Sequence, residues 1–214
     1  MSKQKKRKAR GIMGRSDIPF AQRIALQHQH NIVMNRDHAA KIAMWCLSVA
    51  MHEEEGIGYK RLVRFSFRHK EAIDEFYEDP DVGMAHAKRR LEQMGMEISG
   101  EFFTVELEGQ TKRENEIGNH RLQAVQIALI CGAVAMNDEF GFGQERQSRI
   151  NKKANEYSAR YAKEGEQFLL DKMAAIGFLI VDGEAKACID EEGNAVSTKK
   201  WMEQSHDGTG NQGK

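Results

Sequence analysis

Four apolar positions, Ala39, Ile42, Cys46 and Val49, follow one another at intervals of three, four and three residues, and Ala124, Ile127, Cys131 and Val134 repeat the rhythm. This is the buried stripe of an amphipathic helix, because residues three and four apart stack on one side of it. Alanines crowd both stripes, Ala43 and Ala50 in the first and Ala128 and Ala135 in the second. Such slim surfaces let a partner helix approach closely. An offset of 85 relates the two stretches: 13 of the 29 positions from Arg36 to Arg64 recur identically in Arg121 to Arg149. The matched positions are largely those a helix would bury, so the sequence predicts an internal duplication.

A second helical segment follows each stripe, carrying Leu62, Phe65, Phe76 and Tyr77 in the first copy and Ile150, Tyr157 and Tyr161 in the second. Asp79-Pro80-Asp81 then stops the chain, since proline disfavours helix at the residue before it and suits the first turn of the next one. Copy two is three residues shorter here. A third helix is predicted from Ala87, Leu91 and Met94, matched at an offset of 82 by Leu169, Met173 and Ile176. Gly95 and Gly177 end it as C-caps do. Beyond them "GMEISGEFFTVEL" and "GFLIVDGEAKACI" alternate like short strands, with Asp182-Gly183 a hairpin signal.

The predicted fold is mainly α (α+β): a tandem duplication of a three-helix unit with a short β-hairpin, packed about a pseudo-twofold axis. A unit of about 70 residues buries little surface alone, which favours the two packing on each other. The divisions are a basic flexible arm over 1–17, repeat 1 over 18–109, repeat 2 over 110–190, and a disordered C-terminal tail over 191–214. That tail is rich in Gly, Asn, Gln, Ser and Thr, with Trp201 and Met202 its only large apolar residues.

Between the first and second helix of each copy lies a Gly-x-Gly, Gly56 and Gly58 in one and Gly141 and Gly143 in the other. One reading is a tight turn in which the glycines supply positive φ and Ile57 or Phe142 plugs back into the core. The other is an anion site on the amides opening the next helix, helped by Arg61 and Arg146. The motif lacks the Lys-Ser/Thr of a phosphate loop and the third glycine of a dinucleotide fingerprint, so the turn reading is preferred. Glu54 with Arg61, and Glu139 with Arg146, recur in both copies and are expected to lock the turn by a salt bridge. Arg64 and Arg149 lie three residues on, so four arginines either form a phosphate-facing patch or pair with the abundant acids.

Charge sharpens the second picture. Basic and acidic residues number 32 each, yet Lys3, Lys5, Lys6, Arg7, Lys8, Arg10 and Arg15 all precede any acid. With those seven set aside, 25 basic residues face 32 acidic ones, an excess of seven negative charges. A basic arm on an acidic body suits contact with DNA or RNA, through counterion release, or a solubilising tail.

Catalytic and metal chemistry find little support. Three cysteines suit a reducing compartment and give no disulfide framework. Cys46 and Cys131 read as small buried hydrophobes, which come close if the pseudo-axis passes between their helices, and Cys188 carries no further signal. His52 precedes three glutamates, but no second His falls four residues on and Asn137 stands at the matched position. We assign no catalytic residue, no metal and no cofactor. The longest apolar run, Ile127 to Met136, is half the roughly 20 residues a spanning helix needs, so no membrane contact is expected.

The basic arm, the helix ending in Glu-Phe-Gly-Phe-Gly-x-x-Arg (Glu139 to Arg146) and the third helix closing on Leu-x-x-Met-Gly (Leu91 to Gly95) resemble small proteins encoded by phages and prophages of Gram-positive bacteria. Copy one departs by Glu55 in place of the aromatic. The resemblance spans both repeats but neither tail. It implies a phage origin and a bacterial cytoplasmic setting, and it brings no catalytic residues with it. The function expected is a non-enzymatic accessory protein that binds a host or phage protein and forms homo-oligomers or not. The alternative is a nucleic-acid-binding accessory protein using the arm and the repeated arginines. A small-ligand or catalytic role at the interface between the copies comes third.

Overall fold

Each predicted helix forms, and each stops where its residues stop it. In a computed structural model the described residues are 19–96 and 110–207, with side chains to 203. Helix α1 (Phe20–Glu55) ends at Gly56, α2 spans Tyr59–Glu78, and α3 spans Pro80–Gln93. Asp79 caps α3 by accepting from the Val82 amide at 3.2 Å, with Pro80 in the first turn. Helix α4 (Lys112–Phe140) opens on a capping box, the Thr111 hydroxyl accepting from the Glu114 amide and the Glu114 carboxylate from the Thr111 amide. Then follow α5 (Gln144–Glu164), α6 (Glu166–Ile176), the strands β1 (Leu179–Val181) and β2 (Glu184–Lys186), and α7 (Thr198–Asp207).

Helices α1 and α4 lie side by side and run the same way: His28 meets Glu116 near their starts, and Leu47 lies against Gly132 further on. Their alanines make this possible, since Ala50, Ala128 and Ala135 are all fully buried. A Cβ on Gly132 would stand 2.8 Å from Leu47 Cδ1, so the glycine is the hollow into which that leucine fits. The second helices then cross over. Helix α2 packs on α4 and α5 packs on α1, whereas α1 and α2 scarcely touch. Helix α3 rests on α2 and α4, and α6 on α5 and α1. The main core joins Trp45, Leu47 and Met51 of α1 to Met136 of α4, Ile150 of α5 and Leu169 of α6. Each such side chain contributes about 1.5–3 kcal/mol on leaving water.

The expected hairpin is present in the second half. Strands β1 and β2 pair antiparallel, with Leu179 opposite Lys186, and Asp182 and Gly183 both adopt positive φ as a two-residue hairpin turn requires. The strand pair expected from Gly95 to Leu107 lies, beyond Met96, outside the described residues, as does the basic arm. The tail needs correction. It was expected to lack structure from Glu191, yet Ile189 bridges Ala195, Val196 is buried, and Thr198 Oγ1, in the first residue of α7, donates to the Gly177 carbonyl at 2.8 Å. Tyr59 adds a clamp, its hydroxyl accepting from the Cys188 amide at 2.7 Å. Single apolar anchors in a polar stretch have no periodicity, so the sequence pattern passes over them.

Candidate functional site

The chemistry of interest gathers at the two glycine turns, where the ends of α1 and α4 meet the starts of α5 and α2. Gly56 (φ 64°) and Gly141 (φ 67°) are left-handed, as expected. The Ile57 amide reaches the Met51 carbonyl and the Phe142 amide the Met136 carbonyl, each closing a six-residue loop with its apolar side chain buried. Gly58 and Gly143 depart from expectation. Their φ values of −78° and −85° are extended, because these residues cap the following helices rather than reverse the chain. His52 Nδ1 lies 3.0 Å from the Ile57 carbonyl, and Asn137 Nδ2 donates to the Phe142 carbonyl at 3.4 Å. The matched His and Asn therefore serve one purpose, closing the turn.

The expected salt bridges within each turn, Glu54 with Arg61 and Glu139 with Arg146, do not form. The ion pairs run across the molecule instead, because each second helix packs on the other half's first helix. Arg64 reaches Glu139 at 2.7 Å, and Arg149 reaches Glu55 at 2.7 Å with Arg146 at 3.8 Å. Arg61 stacks over the Phe140 ring at 4.8 Å, and Arg146 also lies over Phe142 at 5.2 Å. Glu54 makes no ion pair among the described residues. Three of the four arginines are thus held by carboxylates and the fourth by an aromatic face, which leaves little of a phosphate-facing patch.

A second pair of sites escaped the sequence reading. Asp138 receives Arg68 from α2 at 2.8 Å and Arg90 from α3, and its side chain is only 14% exposed. At the matched position Glu53 receives Lys172 of α6 at 2.9 Å and Lys153 of α5 at 4.0 Å. A hydrogen bond to Tyr157, and then Lys172, hold the Glu53 carboxyl below the usual carboxylate range. The signal was available: Arg68 and Lys153 correspond at the 85-residue offset, and Arg90 and Lys172 at 82.

Cys46, Cys131 and Cys188 are free and buried. Burial pushes the Cys46 and Cys131 thiols up to about 12, which removes the reactive thiolate at neutral pH. The two sit in separate core clusters, Cys131 donating to the Ala72 carbonyl at 3.5 Å. No group of three or more metal-ligating side chains gathers among the described residues. No described helix is long and apolar enough to cross a membrane.

One surface has no counterpart in the sequence reading. From Phe20 to His38 in α1, and from Lys112 to Gln123 in α4, no residue is buried. Up to Asn35 in α1 and His120 in α4 these lengths form a two-helix stem, and at its base Arg36 and His38 meet Tyr77 of α2 and Tyr161 of α5. It exposes Phe20 (71%), Met34 (56%), Leu26 and Val33, and a groove of about 550 Å³ opens along it between Ala25, Ile32 and Val33 on one side and Arg113 and His120 on the other. Compared with known protein families, with curated proteins and with solved structures, the chain matches none.

Proposed function

We propose that this chain is a non-enzymatic accessory protein that binds another protein through the stem. The stem carries the reading: Phe20, Leu26, Val33 and Met34 are exposed on one length of α1, whereas the other exposed large apolar residues of the helices, among them Phe67 and Val82, lie on helices that also carry buried core residues. Large apolar residues left in water are a mark of interaction sites, and a groove between two parallel helices fits a partner helix or loop. Locking of the arginines into ion pairs and a ring contact favours this reading over phosphate binding by the body. On this reading, which follows the resemblance to phage and prophage proteins, the partner is a protein of a bacterial host or its phage, met in the bacterial cytoplasm. The nucleic-acid reading keeps one specific observation in its favour. The first 36 residues carry nine Lys and Arg against a single acid, Asp17.

The test is recovery of partners from a Gram-positive host after nuclease treatment, at low and high salt, with the parent and with Leu26→Glu/Met34→Glu. Both positions are exposed, so the variant should melt like the parent. The expected result is one stoichiometric protein, resistant to nuclease and lost in the variant. Retention of that protein by the variant would remove the stem from the account. Recovery of nucleic acid that disappears at high salt would put the second reading first.

A further inference from the structure

A cavity of about 130 Å³ lies between α1, α4 and α5, away from the stem groove and from both turns. Ala39 and Ile42 form its apolar floor, and His38, Arg121, Ser158 and Tyr161 stand at its sides. His38 Nε2 and the Tyr161 hydroxyl are 3.1 Å apart. Arg121 makes no ion pair among the described residues. Burial, and then the Glu166 carboxylate, hold Tyr161 above the usual phenol range, and Arg121 pulls against them. The nearby carboxylate, Glu166, is already engaged by Lys41 at 3.2 Å. The cavity therefore carries, at its exposed rim, a guanidinium with no ion pair among the described residues beside two hydroxyls.

The fold does not require these groups. At the positions matched by the 85-residue offset, His38 is replaced by Gln123, Ser158 by Ile73 and Tyr161 by Phe76. Arg121 corresponds to Arg36, whose guanidinium lies 5.1 Å over the Tyr77 ring and 3.7 Å from Asp37. The matched residues of α2, Ile73 and Phe76, pack in an apolar cluster with Ile127 and Cys131 and carry no hydroxyl, so packing at this position does not require the hydroxyls of Ser158 and Tyr161.

We propose that this cavity binds a small carboxylate with a short aliphatic tail. Arg121 and the Ser158 and Tyr161 hydroxyls donate to the carboxylate, His38 fixes the Tyr161 hydroxyl, and the tail lies on Ala39 and Ile42. The volume sets the size, well under the roughly 300–1,000 Å³ of sites for drug-sized ligands. The apolar floor sets the class, since a fully solvated anion such as phosphate gains nothing from alanine and isoleucine. This site lies at the base of the stem, apart from the groove residues Ala25, Ile32 and Val33, and its test does not depend on partner binding.

The probes are butyrate, acetate and inorganic phosphate, titrated into the full chain at fixed ionic strength while the His38 imidazole signals are followed by NMR. Butyrate should shift them saturably and more tightly than acetate or phosphate. Arg121→Gln should weaken butyrate about tenfold or more, the usual loss when a charged hydrogen-bond partner is removed. Tyr161→Phe keeps the ring and should weaken it by less, and Arg36→Gln should leave it unchanged. Linear shifts with every probe, or butyrate affinity unchanged by Arg121→Gln, would overturn the site. Phosphate binding as tightly as butyrate would overturn the ligand class.

Discussion

At the end of α1 the residue before the turn is Glu55, gripped by Arg149; at the end of α4 it is Phe140, lying under Arg61. The backbone does not register the change, for Gly56 and Gly141 differ by only a few degrees in φ and share a ψ of 25°. Two unlike contacts, an ion pair and a cation over a ring, thus hold the same corner. Deeper in, the contrast concerns size. His69 of α2 lies within 4 Å of where a Gly132 side chain would begin, and the matched residues of the other half are Ala154 and Leu47. Large sits with small in each half, in opposite order. At these two places the backbone of the turn is kept while matched side chains exchange sizes, as close packing permits when volume is held.

The sharpest way to break that comparison is at its tightest contact. Leu47→Ala should cost about 2–5 kcal/mol in urea unfolding, the range for an emptied core leucine. Gly132→Ala at the matched position should cost less, about 1–3 kcal/mol, by overpacking against Leu47. Equal costs would mean that the knob and the hollow are not a fitted pair. Next come the two carboxylates. Asp138→Asn should lose about 1–3 kcal/mol by leaving Arg68 and Arg90 without their shared anion, and Glu53→Gln less, because its side chain is 32% exposed. A larger loss from Glu53→Gln would reverse the ranking of the two nodes.

Gly56→Ala and Gly141→Ala should each cost about 1–2 kcal/mol, since both hold positive φ with no neighbour near the added methyl. Gly58→Ala and Gly143→Ala, extended and equally open, should stay within about 0.5 kcal/mol. A melting series of the four proteins separates backbone strain from space. The smallest effect concerns pH. Burial holds the His69 imidazole below its usual range, and its Nε2 donates to the Ala128 carbonyl at 2.9 Å. The unfolded chain then takes up a proton more readily than the folded one, so stability should fall as pH drops below about 6.5. His69→Gln should flatten that decline, and His30→Gln, at an exposed position, should not.

The helices and their ends were legible because they are local. The stripe from Ala39 to Val49, the stop at Asp79-Pro80 and the glycine after each first helix need only neighbouring residues to take effect. The partners of each helix were not legible, since spacing says which face is buried and nothing of what covers it. The salt bridge expected between Glu139 and Arg146 failed for that reason: the nearest cation in space is Arg64, 75 positions away in the chain. Asp138 and Glu53 were passed over because their cations come from two other helices each. The groups around Arg121 show the same limit, for His38 and Tyr161 are 123 residues apart and no local pattern joins them.

The crossed arrangement of second helices also bears on how the chain is made. When α2 leaves the ribosome, the surface that will cover it, α4, has yet to be synthesised. At about 5–20 residues per second, the stretch from Glu78 to Phe140 takes roughly 3–12 seconds to translate. For that interval Leu62 and Phe65 lack the cover that the later helices give them. The nascent protein passes through a window in which chaperones, or a neighbouring chain on the same message, compete for the place that α4 will take.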